Sequence, residues 1–134
     1  MDTARRRALV VEDSDSVRAV LRHMLEEDSV YVVEARNGAE GLDRLRSDAA
    51  IGLVFLDMNM PDMDGLAVLR SIRAEPTLAA LPVVVLTGGS ATAVMAAKDL
   101  GAVGWLQKPV RCEAIVKVAR SFLGQAAVVR SSRS

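Results

Sequence analysis

"VFLDMNMPDMDG", residues 54 to 65, runs from an apolar stretch straight into a loop that holds Asp57, Asp62 and Asp64. Such a mixture of Asp and Asn ahead of a glycine has the look of a calcium-binding EF-hand loop, and the register tests it. Counted from Asp57, Asn59 suits the third position, but Pro61 stands at the fifth, Asp62 where the turning glycine belongs, and Val68 where the bidentate glutamate belongs. No helix pattern precedes the loop, since "IGLVFL", residues 51 to 56, has the length and branching of a buried strand. The stretch reads as a strand that ends on a carboxylate. Its meaning depends on what the other strands bring beside Asp57.

Four more short, branched runs recur along the chain: "ALVV" at 8 to 11, "VYVV" at 30 to 33, "VVVL" at 83 to 86 and "VGWL" at 103 to 106. Most are apolar on both faces, as parallel strands covered by helices are. Helical patterns fill the intervals. Val17, Val20, Leu21, Met24 and Leu25 form an apolar stripe with Ser14 as its N-cap, and Ile115, Val118, Ala119 and Phe122 repeat the spacing near the end. "GAEGLDRLR" after Asn37, "GLAVLRSIRAE" after the acidic loop and "ATAVMAAKDLG", with Gly101 as its stop, supply the remaining three. Strict strand and helix alternation predicts an α/β fold, a doubly wound (βα)5 arrangement around a parallel five-stranded sheet.

With 134 residues and 51% hydrophobic content, the chain suits one domain with a real core. Lys and Arg balance Asp and Glu at 17 each, which predicts no direct nucleic-acid partner and no anionic membrane surface. The basic run "ARRR" at 4 to 7 reads as a solvated lead-in. Residues 1–6 are taken as that lead-in, 7–123 as the domain and 124–134 as a tail or linker stub. Neither a membrane-length apolar stretch nor the hydrophobic region of a signal peptide is evident, which points to the cytoplasm. The one cysteine, Cys112, allows neither an internal disulfide nor a cysteine-rich metal cluster.

In doubly wound sheets the site lies beyond the carboxyl ends of the strands. There the first strand is followed by Glu12 and Asp13, the third by Asp57, the fourth by Thr87, Gly88 and Gly89, and the fifth by Lys108 and Pro109. A strand order of 2-1-3-4-5 makes the four reactive strands neighbours. Three close carboxylates repel one another unless a cation joins them, and a hard divalent ion that keeps waters and takes few protein oxygens fits best, namely Mg2+. Lys108 and Thr87 then form a positively polarised half of the pocket suited to phosphoryl oxygens. The chemistry this predicts is phosphoryl transfer to a carboxylate.

"VVEDS", "FLDMNMPDMDG", "VVVLTGG" and "GWLQKPV" resemble, in order and spacing, the four motifs of the response-regulator receiver domain, and the similarity covers roughly residues 7 to 123. The resemblance implies the flavodoxin-like fold and its 2-1-3-4-5 order directly. It implies that Asp57 is the phosphoacceptor, Asp13 the direct metal-binding acid and Glu12 its partner, with Asn59 lending a backbone carbonyl to the metal. Thr87 matches the hydroxyl that moves onto the phosphoryl group, Lys108 the lysine that pairs with it, and Pro109 a cis-proline position. Trp105 stands three residues before the lysine, where receivers usually carry a smaller ring that rotates inward on activation. It is read as a switch residue or as a partly exposed anchor for a partner.

The implied function is a single-domain response regulator that takes a phosphoryl group from a sensor histidine kinase or a histidine phosphotransfer protein. It then engages a downstream protein target, of a chemotaxis motor type or in a phosphorelay, as a monomer or a phosphorylation-dependent dimer. A receiver belonging to a longer hybrid kinase or transcription regulator has the same sequence features. Two other classes fit less well. A haloacid-dehalogenase-type phosphohydrolase needs a general acid where Asn59 stands, and an FMN carrier needs a phosphate-binding loop where the acidic "EDSDS" stands. Asp62 and Asp64 read as turn and N-cap residues, and His23 as an exposed helix residue.

Overall fold

The computed structural model describes residues 6–60 and 64–124, so Asp62 and most of the lead-in and tail lie outside the described residues. Five strands and five helices alternate: β1 (Arg7–Val11), α1 (Asp15–Glu26), β2 (Tyr31–Ala35), α2 (Gly38–Ser47), β3 (Leu53–Asp57), α3 (Gly65–Ala74), β4 (Val83–Thr87), α4 (Ala91–Asp99), β5 (Gly104–Gln107) and α5 (Cys112–Leu123). The strands form one parallel sheet in the order β2-β1-β3-β4-β5.

Alternation along each central strand feeds two separate cores. Leu9, Val11, Val54, Leu56, Val83 and Val85 face one side, where Leu42 and Leu45 of α2, Leu69 and Ile72 of α3 and Ala97 of α4 cover them. Ala8, Val10, Leu53, Phe55, Val84 and Leu86 face the other, against Leu21 and Leu25 of α1 and Ile115 and Ala119 of α5. The connection after β1 therefore leaves toward one face and that after β3 toward the other, which opens a crevice over the carboxyl ends of these two strands.

Local chemistry sets the helix starts. Ser14, Asn37, Asp64 and Ser90 cap α1, α2, α3 and α4, each accepting a hydrogen bond from a first-turn N–H. α4 ends at Gly101, whose φ of 86° suits a residue without a Cβ.

The structure departs from the sequence reading in three places. α1 is rotated relative to its apolar stripe: Val17 is 36% exposed and Val20 52%, while Arg18 is buried. The guanidinium is drawn inward by three oxygen acceptors, a pull that hydrophobic spacing does not register. Arg6, taken as part of a solvated lead-in, is only 2% exposed, and its guanidinium donates to the Gly124 carbonyl and to Asp28. β2 extends past its apolar run to Ala35, because Glu34 stays in the strand and pairs with Arg18 and Arg22 of α1.

Candidate functional site

Beyond Val11 the chain turns over the carboxyl edge of the sheet. The Glu12 N–H continues the ladder by donating to Ala35 O at 3.0 Å, and the Glu12 side chain folds inward, where Oε2 accepts the Ser14 N–H at 3.1 Å. Asp13 stays exposed beside it. Asp57 closes β3 in a fully buried position, and its Oδ1 accepts from the Asn59 N–H at 3.1 Å and from Lys108 Nζ at 2.9 Å. The same ammonium lies 3.0 Å from Glu12 Oε1. Carboxylate oxygens of Glu12, Asp13 and Asp57 all fall within 4.8 Å of one another.

α3 begins hard against the end of β3. A Cβ on Gly65 would lie 2.7 Å from the Asp57 carbonyl oxygen and 2.8 Å from Met58 Cα, so only glycine lets the helix start this close to the acid.

The electrostatics follow from the crowding. Burial holds the Glu12 carboxyl above the usual glutamate range and the Asp57 charge adds to this, although the Ser14 N–H and Lys108 pull the other way. For Lys108, burial disfavours the charged form, but Asp57 and Glu12 outweigh it and raise its pKa, so the ammonium persists at neutral pH. One lysine faces three acids. Among the described residues Asp57 Oδ2 is buried without a hydrogen-bond partner. A buried carboxylate oxygen with no donor is costly, and an all-oxygen cluster of this size suits a hard divalent cation such as Mg2+.

Thr87 and Lys108 come in from the neighbouring strands. Thr87 is the buried last residue of β4, and its Oγ1 accepts the Gly89 N–H at 3.2 Å, while α4 is capped by Ser90 instead. The Lys108 N–H donates to Thr87 O at 2.8 Å, which ties the two strand ends together, and the Lys108–Pro109 peptide is cis. Asn59 is exposed and reaches the cluster through its backbone N–H. Trp105 sits apart, on the edge strand β5 opposite Val85, and is 48% exposed. Cys112 opens α5 as an exposed residue, and His23 is exposed near Glu27. None of the helices among the described residues is long and apolar enough to cross a membrane.

Residues 8–120 match the family described as the response regulator receiver domain. The chain belongs to that family. It is 39% identical over 120 residues to the protein-glutamate methylesterase/protein-glutamine glutaminase 1 of Oleidesulfovibrio alaskensis, covering 87% of this chain and 32% of that protein. It is 40% identical over 118 residues to the response regulator MprA of Mycobacterium avium, covering 87% of this chain and 50% of that protein. This receiver thus spans half or less of the length of these two relatives. Among solved structures, the chemotaxis protein CheY4 of Vibrio cholerae superposes with a TM-score of 0.81 at 29% identity, over 87% of this chain and 97% of that one.

Reading strand ends locates the acid cluster of the receiver but misses what holds it. Arg18 donates to the Glu12 carbonyl at 2.8 Å, to Asp15 at 2.6 Å and to Glu34 at 3.0 Å. The available signal was a cation one helical turn after Asp15, on the flank of the apolar stripe.

Proposed function

We propose that this receiver is a phosphorylation switch whose Asp57 accepts a phosphoryl group from the phosphohistidine of a sensor histidine kinase or a histidine phosphotransfer protein. The observation that carries this reading is the buried Asp57 carboxylate, with an unpartnered Oδ2, inside a three-carboxylate cluster closed by Lys108. In the step, an Asp57 oxygen attacks phosphorus as the P–N bond of the donor breaks. The imidazole, protonated at its other nitrogen, leaves neutral with that electron pair. Glu12, Asp13 and Asp57, with the Asn59 backbone carbonyl, are the groups that would hold Mg2+, which when bound supplies positive charge against the carboxylates and phosphoryl oxygens.

Lys108 follows the charge from the carboxylate to the phosphoryl group, and the Thr87 hydroxyl turns from the Gly89 N–H to donate to it. Both groups thereby favour one of two arrangements of the β4–α4 loop. The α4, β5 and α5 surface is the output. α4 buries only Ala97, and Met95, Val103, Trp105 and Phe122 are exposed on or beside these elements, which leaves apolar area for a downstream protein. Mg2+ with acetyl phosphate is expected to add one phosphoryl group by intact-mass spectrometry and to change Trp105 fluorescence in parallel, with both lost in chelator. A phosphorylated protein whose Trp105 emission stays unchanged would contradict the assignment of Trp105 to the switch, and no adduct at all would contradict the phosphoryl-acceptor reading.

The donor is proposed to dock beside Lys108. A groove of about 450 Å³ lies there between Val17 and Val20 of α1 and Pro109 and Val110 beyond β5, with Lys108 in its wall. This arrangement accounts for the two valines that α1 leaves in solvent, and it fits an amphipathic helix carrying the phosphohistidine. Val20→Glu should slow transfer from a phosphorylated histidine phosphotransfer protein at least tenfold and leave acetyl phosphate labelling unchanged. Equal slowing with both donors would remove the groove from the account. Such donors place the receiver in the cytoplasm, where kinases draw on ATP.

A further inference from the structure

The acid cluster is held from below by a side chain that never enters it. Arg18 is buried, and its planar guanidinium meets three acceptors in three directions: Nη1 reaches the Glu12 carbonyl at 2.8 Å, Nη2 reaches Asp15 Oδ1 at 2.6 Å, and Nε reaches Glu34 Oε1 at 3.0 Å. The Glu12 carbonyl belongs to the same planar peptide as the Asp13 N–H, so the bond from Arg18 fixes the plane from which Asp13 departs. On its other side Glu12 is fixed through its own N–H on Ala35 O.

Asp13 has no comparable anchor of its own. It is exposed, and among the described residues its carboxylate makes neither a hydrogen bond nor an ion pair. Glu12, by contrast, is held by the Ser14 N–H and Lys108, and Asp57 by the Asn59 N–H and Lys108. The direction of the Asp13 side chain is therefore set through the backbone, whose two flanking peptides are held by Arg18 on the Glu12 carbonyl and by Glu12 Oε2 on the Ser14 N–H.

We propose that Arg18 is a positioning residue that orients Asp13 toward the divalent cation through the Glu12–Asp13 peptide, and so sets cation affinity without touching the cation. The inference rests on reading the acid cluster as a Mg2+ site. A guanidinium is required because a lysine ammonium is a point charge and cannot present a planar fork to a carbonyl and two carboxylates at once. Glu34 completes the device from β2, and it also accepts from Arg22 Nη1 at 3.0 Å. Arg22 thus shares the same carboxylate, while its contacts on the described residues are to Glu34 and Glu26 and none is to Glu12. That makes it an internal control for the loss of an ion pair on this face.

The test is calorimetric titration of Mg2+ onto the unphosphorylated protein, together with acetyl phosphate labelling rates across Mg2+ concentrations, for wild type, Arg18→Gln, Arg18→Lys and Arg22→Gln. Loss of a residue that orients a metal ligand typically weakens metal binding about 10- to 100-fold. The half-saturating Mg2+ concentration is accordingly expected to rise at least about tenfold in Arg18→Gln and Arg18→Lys, with the labelling rate at saturating Mg2+ returning close to wild type. Arg22→Gln should bind Mg2+ as wild type does. Should Arg18→Gln fail to fold, Arg18→Lys carries the comparison. Wild-type Mg2+ affinity in the Arg18 variants, or equal weakening in Arg22→Gln, would overturn the proposal. A wild-type protein that binds no Mg2+ in the calorimeter would instead overturn the metal-site reading on which the proposal stands.

Discussion

Asp57→Asn is expected to abolish phosphoryl acceptance and, in the absence of divalent cation, to make the protein more stable. Both effects come from the same carboxylate. The amide cannot form an acyl phosphate, so labelling falls to background. In the folded protein, Asp57 is buried with Oδ2 unpartnered and lies in a cluster with Glu12 and Asp13. Replacing it with an amide removes a buried charge and puts an N–H donor among acids that it can serve. Lys108 keeps Glu12 as its partner. Relief of one unsatisfied buried group is worth about 1–3 kcal/mol, which urea unfolding in chelator measures directly. Mg2+ should then stabilise the wild type much more than Asp57→Asn, because binding to the folded state alone raises its stability. A variant less stable than wild type in chelator would mean that the Lys108 pairing outweighs the crowding.

Asp28→Ala is expected to cost about 3 kcal/mol, the lower end of the range for breaking a buried ion pair by removing one partner. Asp28 sits between two arginines: Arg6 Nη2 reaches Oδ2 at 3.1 Å, and Arg120 Nη2 reaches Oδ1 at 2.7 Å. Arg6 also donates to the Asp28 carbonyl and, through Nε, to Gly124 O at 2.7 Å, so this cluster fastens the start of β1 to the end of α5. Truncation leaves the Arg6 guanidinium buried without its counter-charge. The hydrogen bond from Arg120 holds the Asp28 carboxyl below the usual aspartate range against the opposing effect of burial, and Arg6 adds to the lowering. A depressed folded-state pKa gives stability that is complete above the unfolded value of about 4 and is lost as pH falls through the folded value. The wild type should therefore lose stability below about pH 4 more steeply than Asp28→Asn does. Parallel acid profiles for the two proteins would contradict this assignment.

Much of the architecture was legible because two periodicities state it directly. Five apolar strands and the caps at Ser14 and Asp64 are local signals, whereas Asn37 reads only as a turn and the Ser90 cap went unread. Strand-end reading named Glu12, Asp13, Asp57, Thr87 and Lys108, of which the three acids and Lys108 lie together. What escaped was long-range charge pairing. The partners of Arg6 are Asp28 and Gly124, far along the chain, so no local spacing marks it as buried, and Arg18 of α1 meets Glu34 of β2, with only its place one turn after Asp15 as a local sign. The rotation of α1 was hidden for the same reason, since an apolar stripe wider than the buried face leaves its orientation open. Trp105 was legible as an outlier in its motif and, in one of its two readings, as a partly exposed residue, and its half-exposed position follows from β5 being an edge strand.

The most direct test of the central claim is to locate the modification. After labelling with Mg2+ and acetyl phosphate, borohydride reduction converts an acyl phosphate to an alcohol, and peptide mass spectrometry then finds it. The account predicts one reduced position, at Asp57, that disappears in chelator. A phosphoryl group found on any other side chain, or an unreacted Asp57 in protein that binds Mg2+, would contradict it.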